Sequence, residues 1–374
     1  MPMDIFDMVR RDPDFSVKVT SIRMNDLARE RGVNTLLRKI FAADIEEIRL
    51  NSTMFRLEYS HGVLGLPTMQ PRGVNSEQQI PEGFRSDYWF EVPHYALIDE
   101  IKADDLRNYG PISDGIVTSE DRITVAQATD DKMRIVNNLF DFLDEFNLNM
   151  AIQGYSKNGV DRVFRDIYQE IGATRHILEV DLGDNNNLNP KDVFTDAVQI
   201  QKDELASEMA TERICVCGYD FFKRMEQNEA VAKSFERLEE GSFLRRLHIE
   251  DGFKWGGINF ICQAQTSKSN EGARVAWIPT DSAFLVPRGV YRQFIEVCAP
   301  GDYIECVGKR ADETLRRYSK TWPTEGDKTI KIECQTNPFI FHGRLSSIIN
   351  LRLKGSVVNT RPLADSPVRN TRRR

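Results

Sequence analysis

The feature that most constrains this chain is one long amphipathic stretch, residues 118–150. Ile123, Ala126, Met133, Val136, Leu139, Phe140, Leu143 and Phe146 recur at intervals of three and four. That spacing lays a single apolar stripe along an α-helix. Thr118 with Asp121 fits a helix start, and Gly154 fits a stop. About 30 residues at roughly 1.5 Å each make a rod on the order of 45 Å long. Such a rod crosses a whole domain, so the remaining chain must supply apolar surface along its length.

Strand patterns flank it. Phe55, Leu57 and Tyr59 alternate with Arg56 and Glu58, and Tyr88, Phe90 and Val92 alternate with Trp89 and Glu91. A long polar loop with Gly62, Gly65, Pro67, Pro71, Gly73, Pro81 and Gly83 joins them. An isolated two-stranded hairpin is marginal in water, so this one needs a surface to lie on. In a monomer that surface is the rest of the chain; in an assembly it is a neighbour. Met54, Phe55, Tyr59, Tyr88, Trp89 and Phe90 are the hairpin side chains that would meet that surface, and become candidate subunit-interface residues if the surface is a neighbour's.

Residues 155–182 read as a second hairpin, with Ile177, Leu178 and Val180 as its clearest apolar run. Asn189 and Pro190 start a helix that runs to about Met209. A strand over Ile214–Cys217 and a third helix from Asp220 to about Glu239 follow. From 253 onward the pattern is short strands and turns. These are Ile258–Cys262, Val275–Ile278, Phe284–Val286, Tyr303–Val307, Thr329–Gln335, Pro338–Phe341 and Ile348–Leu353. Ser21–Arg31 reads as a short helix in an N-terminal arm, and residues 355–374 as a polar, arginine-bearing tail.

Composition narrows the function classes. The 374 residues carry a net charge of −7, which disfavours a generic polyanion binder. No run approaches a membrane span, and the N-terminus lacks the basic and apolar regions of a secretory signal. The six cysteines are sparse and read as buried free thiols, with no second pair at zinc-ligand spacing. Phosphate-loop, dinucleotide-fold, H-E-x-x-H and G-x-S-x-G patterns are all absent from the sequence. His94 reads as a structural residue at the foot of the hairpin. Asp104-Asp105 and Asp130-Asp131 read as solvated faces rather than metal sites, and no cofactor or metal is expected. Arg245-Arg246 and Arg316-Arg317 are expected to pair with carboxylates across an interface.

Several of these segments, in order and spacing, resemble the phage major capsid protein E family of lambda type. The resemblance lies in Phe90-Glu91-Val92-Pro93-His94-Tyr95, in the long helix, and in Val216-Cys217-Gly218-Tyr219-Asp220-Phe221-Phe222. It continues through Phe253-Lys254-Trp255-Gly256-Gly257-Ile258-Asn259-Phe260, Ala276-Trp277-Ile278-Pro279, Ala283–Gly289, Lys320-Thr321-Trp322-Pro323 and Cys334–Pro338. It implies the Hong Kong 97-like capsid fold, an α+β architecture. Residues 1–45 would be the N-terminal arm and 46–100 an extended loop lying on a neighbouring subunit. Residues 101–183 would be a peripheral domain with spine helix 118–150 and a hairpin. Residues 184–315 would be the axial domain, 316–353 a return to the peripheral domain, and 354–374 a tail outside the family pattern.

The function implied is a non-enzymatic major capsid protein. It would self-assemble into hexamers and pentamers that form an icosahedral shell around the double-stranded DNA of a tailed phage. It would be made in the host cytoplasm and reside in the virion. Scaffolding, portal and decoration proteins would be its partners, with packaged DNA held without sequence-specific contact and no membrane involved. Residues 46–100 hold no lysine, so closure without lysine–asparagine crosslinks is expected. Two other readings stay open: a hydrolase with scattered catalytic residues, and a nucleic-acid binder acting through the arginine tail.

Overall fold

The computed structural model describes residues 35–61, 84–102, 125–206, 208–236, 252–269, 272–324, 326 and 328–355. The predicted 21–31 helix, the 62–83 loop, the capped helix start at Thr118, Asp104-Asp105, Arg245-Arg246 and the tail after Gly355 lie outside them.

Helix α1 (Leu36–Ile40) leads into strand β1 (Ile45–Arg49), a hairpin of β2 (Met54–His61) and β3 (Phe84–Glu91), and β4 (Tyr95–Lys102). The long helix α2 (Val125–Gln153) precedes a small hairpin, β5 (Tyr155–Asn158) and β6 (Arg162–Asp166). Then come α3 (Ile167–Ile171), β7 (His176–Val180), α4 (Lys191–Leu205), β8 (Glu212–Cys217), α5 (Tyr219–Glu226) and α6 (Glu229–Glu236). Short strands follow: β9 (Phe253–Trp255), β10 (Ile258–Cys262), β11 (Thr266–Lys268), β12 (Arg274–Ala276), β13 (Ser282–Arg288) and β14 (Phe294–Cys298). The described chain ends with β15 (Arg317–Pro323), β16 (Thr329–Thr336), β17 (Pro338–His342) and β18 (Ile349–Leu353).

A six-stranded mixed sheet runs β7-β18-β13-β8-β10-β9. Its central strands are apolar in unbroken runs because both faces are covered. Cys215, Cys217, Phe260, Leu285 and Leu351 face a cluster with α4 and α5. Ile214, Val216, Ile261, Phe284 and Val286 face a second cluster containing Leu148 and Ile152 of α2. Two smaller sheets flank this one. In β1-β14-β17, the middle strand is buried throughout. In β15-β16-β4, Ile101, Ile332 and Cys334 pack on Met133, Val136 and Phe140 of α2.

Four expectations are corrected. Ile177–Val180 does not belong to the second hairpin: β7 is the edge strand of the six-stranded sheet, parallel to β18. The third helix is two helices, parted at Asn228. The Asn228 side-chain oxygen accepts from the Ala230 and Val231 N–H groups, and its amide donates to the carbonyls of Asn186 and Leu188. Tyr303–Val307 is not a strand. Its buried residues, Tyr303 and Cys306, are three apart and pack on Tyr318, which is the period of the 3-10 turn Ile304–Cys306. Leu139 is half exposed, although the apolar stripe included it.

The reason for the last correction is electrostatic. Helix α2 buries a polar flank as well as an apolar one, with Asn137, Asp144, Glu145 and Asn149 all out of solvent. These groups meet a charge cluster at the centre of the fold. Arg317 donates to Asn137 Oδ1 at 3.0 Å and to Asp144 Oδ2 at 2.9 Å, and also reaches Asp141. Arg316 forms a two-pronged contact with Glu296 at 2.7 and 2.9 Å and touches Asp144 at 2.9 Å. Arg38 of α1 also bonds Glu296. Glu145 accepts from the Leu37 and Arg38 backbone N–H groups at 2.7 and 3.0 Å, so α2 caps α1. Arg316 and Arg317 thus find carboxylates within their own subunit. Burial alone would raise the Asp144 carboxyl, but Arg316, then Arg38 and Arg317, hold it down at about 2.

Two predictions follow from this core. Glu296→Gln leaves its two arginines with one carboxylate too few, and removing one partner of a buried pair costs about 3–5 kcal/mol. Chemical denaturation should show that loss; a change below about 1 kcal/mol would mean the cluster relaxes or is solvated. The second concerns His342, fully buried, whose Nδ1 accepts the Arg344 N–H at 3.1 Å. Burial pushes its pKa down to about 3. The unfolded chain takes up this proton near pH 6.5 and the folded chain does not, so stability falls as pH drops from 6.5 toward 3. Between pH 7 and 5 the wild type should lose about 2 kcal/mol more than His342→Asn. Parallel pH profiles would refute this.

Candidate assembly surfaces

The β2–β3 hairpin pairs Phe55 with Phe90, Leu57 with Tyr88, and Tyr59 with Ser86. Paired residues share a face, so these six side chains lie on one side of the ribbon. That side rests on the subunit's own core. Phe55 lies 5.6 Å from Phe90, 5.8 Å from Phe339 and 6.1 Å from Phe341, ring centre to ring centre. The Arg165 guanidinium sits over the Phe90 ring, and Tyr88 Oη donates to the Ile171 carbonyl at 3.2 Å. Burial raises the Tyr59 hydroxyl pKa, with nearby Arg344 opposing.

The opposite side carries Met54 and Glu91, Arg56 and Trp89, Glu58 and Asp87. Trp89 is 63% exposed and Met54 48%. Arg56 bridges Asp87 at 2.8 Å and Glu58 at 3.0 Å beside them. The six candidate residues therefore split by the pleat. Phe55, Tyr59, Tyr88 and Phe90 anchor the base of the hairpin, while Met54 and Trp89 are presented outward. Sequence alternation held this division, since the two sets fall on odd and even register positions.

Other outward apolar groups escaped the sequence reading. Ile304, which opens the 3-10 turn, is 92% exposed, and Val307, which closes it in extended conformation, is 80% exposed. This turn is fixed by Glu305, which pairs with Lys320, and by Tyr303, whose hydroxyl donates to the Glu333 carbonyl. Ile98 on β4 is 66% exposed, and Ile135 with Leu139 forms an exposed step on α2. Reading Tyr303–Val307 as a strand hid the first pair, and reading Leu139 as core hid the last.

Several groups that could do chemistry have structural partners among the described residues. His94 Nδ1 meets Asn337 Oδ1 at 2.9 Å, at the foot of the hairpin, and His176 meets Glu204 at 2.8 Å. All six cysteines are buried and free. Burial drives the Cys298 and Cys334 thiols up to about 12 and Cys217 well above its ordinary value. That is the opposite of what a nucleophilic thiolate needs. Among the described residues, no group of three or more His, Cys, Asp or Glu could hold a metal ion. No described helix is long and apolar enough to cross a membrane.

The model of the phage major capsid protein E family matches residues 28–352, which include the hairpin, the long helix and all three larger sheets. No curated protein matches the chain. Among solved structures, the chain is similar to the mature capsid of bacteriophage PhiM1, with 11% identity over 83% of this chain and 85% of that one, at TM-score 0.50. It also resembles the capsid of an empty GTA particle, with 11% identity over 86% and 92% of the two chains, at TM-score 0.48. A third likeness is to the capsid of cyanophage P-SCSP1u, with 11% identity over 83% and 85%, at TM-score 0.46. The long helix against three sheets, with a hairpin carried on the core, is the Hong Kong 97-like α+β capsid fold. The chain belongs to the phage major capsid protein E family and is a shell-forming capsid protein.

Proposed function

We propose that the subunit closes its shell as hexamers and pentamers around the double-stranded DNA of a tailed phage. The observation that carries this reading is the family match over residues 28–352, which takes in hairpin, spine and lobe together. The arm is the part of residues 1–45 before α1, since Leu37 and Phe41 are buried in the subunit's own core. The extended loop is the β2–β3 hairpin within 46–100, its outer face on a neighbour, while β1 and β4 at its ends stay in the subunit's own sheets. Helix α2 is the spine of the peripheral domain. The axial domain is centred on 184–315 and takes β7 and β18 as further strands of its sheet, as the pairing of β18 with β7 and β13 supports. Residues 316–353 otherwise return to the peripheral domain.

Each contact in such a lattice is modest, and symmetry multiplies it. Weak individual contacts let misplaced subunits leave before the shell closes. With no lysine in 46–100, closure is non-covalent, and a decoration protein at three-fold positions would reinforce it. Scaffolding and portal proteins are the remaining partners, and synthesis takes place in the host cytoplasm. Expansion of the shell would shift the hairpin and α2 between two packings.

The outward face of the hairpin gives the test. Trp89→Glu changes an exposed side chain, so the unfolding free energy should stay within about 0.5 kcal/mol of wild type. Expressed where the wild type gives particles, the variant should yield free subunits or capsomers by sedimentation and negative-stain microscopy. Wild-type particle yield would remove Trp89 from the interface.

A further inference from the structure

A groove of about 630 Å³ opens between α4 and α6, on the flank of the six-stranded sheet. Its floor is apolar: Phe194, Val198, Trp255 and Ile258. The Trp255 ring is held edge-on to Phe194 at 5.8 Å, and its Nε1 donates to Ser234 Oγ at 3.2 Å. Three lysines stand on the rim, Lys191 and Lys202 from α4 and Lys233 from α6. Lys233 pairs with Glu229 on its own helix. Lys191 and Lys202 have no ion pair among the described residues, and no described carboxylate lines the groove.

An apolar trough with a cationic rim suits an extended segment that bears an aromatic side chain between carboxylates. The lysines outside the trough would meet the carboxylates, and the floor would take the ring. A phosphate backbone fits less well, because it has no apolar group for the floor.

The chain contains one such segment before Thr35. Residues 3–8 read Met3-Asp4-Ile5-Phe6-Asp7-Met8: a phenylalanine with a carboxylate on each side and no cation. The other stretches outside the described residues differ. Residues 237–251 and 356–374 carry three and five arginines, residues 62–83 have no aromatic, and in residues 103–124 Arg107 stands beside Tyr109 between the carboxylates of Asp105 and Asp114. Dimensions agree as well. Lys191 and Lys202 lie eleven positions apart on α4, roughly 16 Å at 1.5 Å per residue. Asp4 and Asp7, three residues apart, span roughly 10 Å when extended at roughly 3.3 Å per residue, and the long flexible lysine side chains close the difference. From Phe6 to Thr35 the chain can reach at most about 100 Å, enough for the groove of its own subunit or of the next.

We propose that this groove is the docking site for residues 3–8 of this chain, with Phe6 on the Trp255 floor and Asp4 and Asp7 at the lysine rim. The proposal goes beyond the shell reading and does not rest on it, since the contact can be read in the full chain, assembled or free.

The test replaces Phe6 with the photo-crosslinker p-benzoylphenylalanine in the full chain and maps adducts by mass spectrometry. Adducts should fall within 191–202, 230–234 or 255–258. Lys191→Glu with Lys202→Glu, both at exposed positions, should cut their yield on the order of tenfold, which corresponds to about 1.4 kcal/mol. Adding Asp4→Lys and Asp7→Lys should restore it. Adducts elsewhere, or a yield that ignores both charge reversals, would overturn the proposal. Reversal of the lysines that releases bound DNA while the Phe6 adduct maps outside the groove would overturn it in favour of a phosphate site.

Discussion

The charge cluster of Arg38, Arg316, Arg317, Asp144 and Glu296 is the joint on which the rest of this subunit depends. It brings together α1, the middle of α2, the middle of β14 and the start of β15, elements from distant parts of the chain. Desolvating such charges costs several kcal/mol per ion, repaid only when geometry and hydrogen bonding are good. Here Arg316 is two-pronged on Glu296, and Arg317 spans Asn137 and Asp144 on one helix face. Apolar packing alone would let α2 slide along the sheets it crosses. The arginines instead fix its register, because a shift of one turn would leave buried ions unpaired.

From that joint the outward surfaces follow. With β14 and β17 held in place, Phe339 and Phe341 present an aromatic floor on which Phe55 and Phe90 seat the hairpin base. The pleat then obliges the alternate residues, Met54 and Trp89, to face away. A rigid base with an outward apolar anchor is what a lattice subunit needs: the core spends its packing internally, and only a few side chains remain for neighbours. Lattice contacts can then be weak one by one while the subunit itself stays firm.

The sequence revealed some of this well. Period-two alternation located β2 and β3, the three-four spacing located α2, and short apolar runs located β8, β10 and β13. Gly154 marked the end of α2, since a side chain there would strike the Tyr168 ring. What it concealed is equally physical. Burial of Asp144 and Glu296 depends on arginines from other elements, and that of Glu145 on the backbone N–H groups of Leu37 and Arg38 more than a hundred residues away, and no local pattern reports that. Strand β14 escaped notice because Glu296 interrupts its apolar run. The outward pair Ile304 and Val307 escaped because an i, i+3 turn over five residues resembles alternation. The family resemblance supplied what local patterns could not, namely that hairpin, helix and lobe form one wall subunit.

The central claim is that this chain builds a shell in which the hairpin's outer face lies against a neighbour. An electron cryomicroscopy reconstruction of particles assembled from it tests that most directly. The account predicts closed shells of five- and six-fold capsomers in which Met54 and Trp89 are covered by an adjacent subunit. A protein that stays monomeric alongside its scaffolding partner, or shells in which Trp89 remains open to solvent, would contradict it.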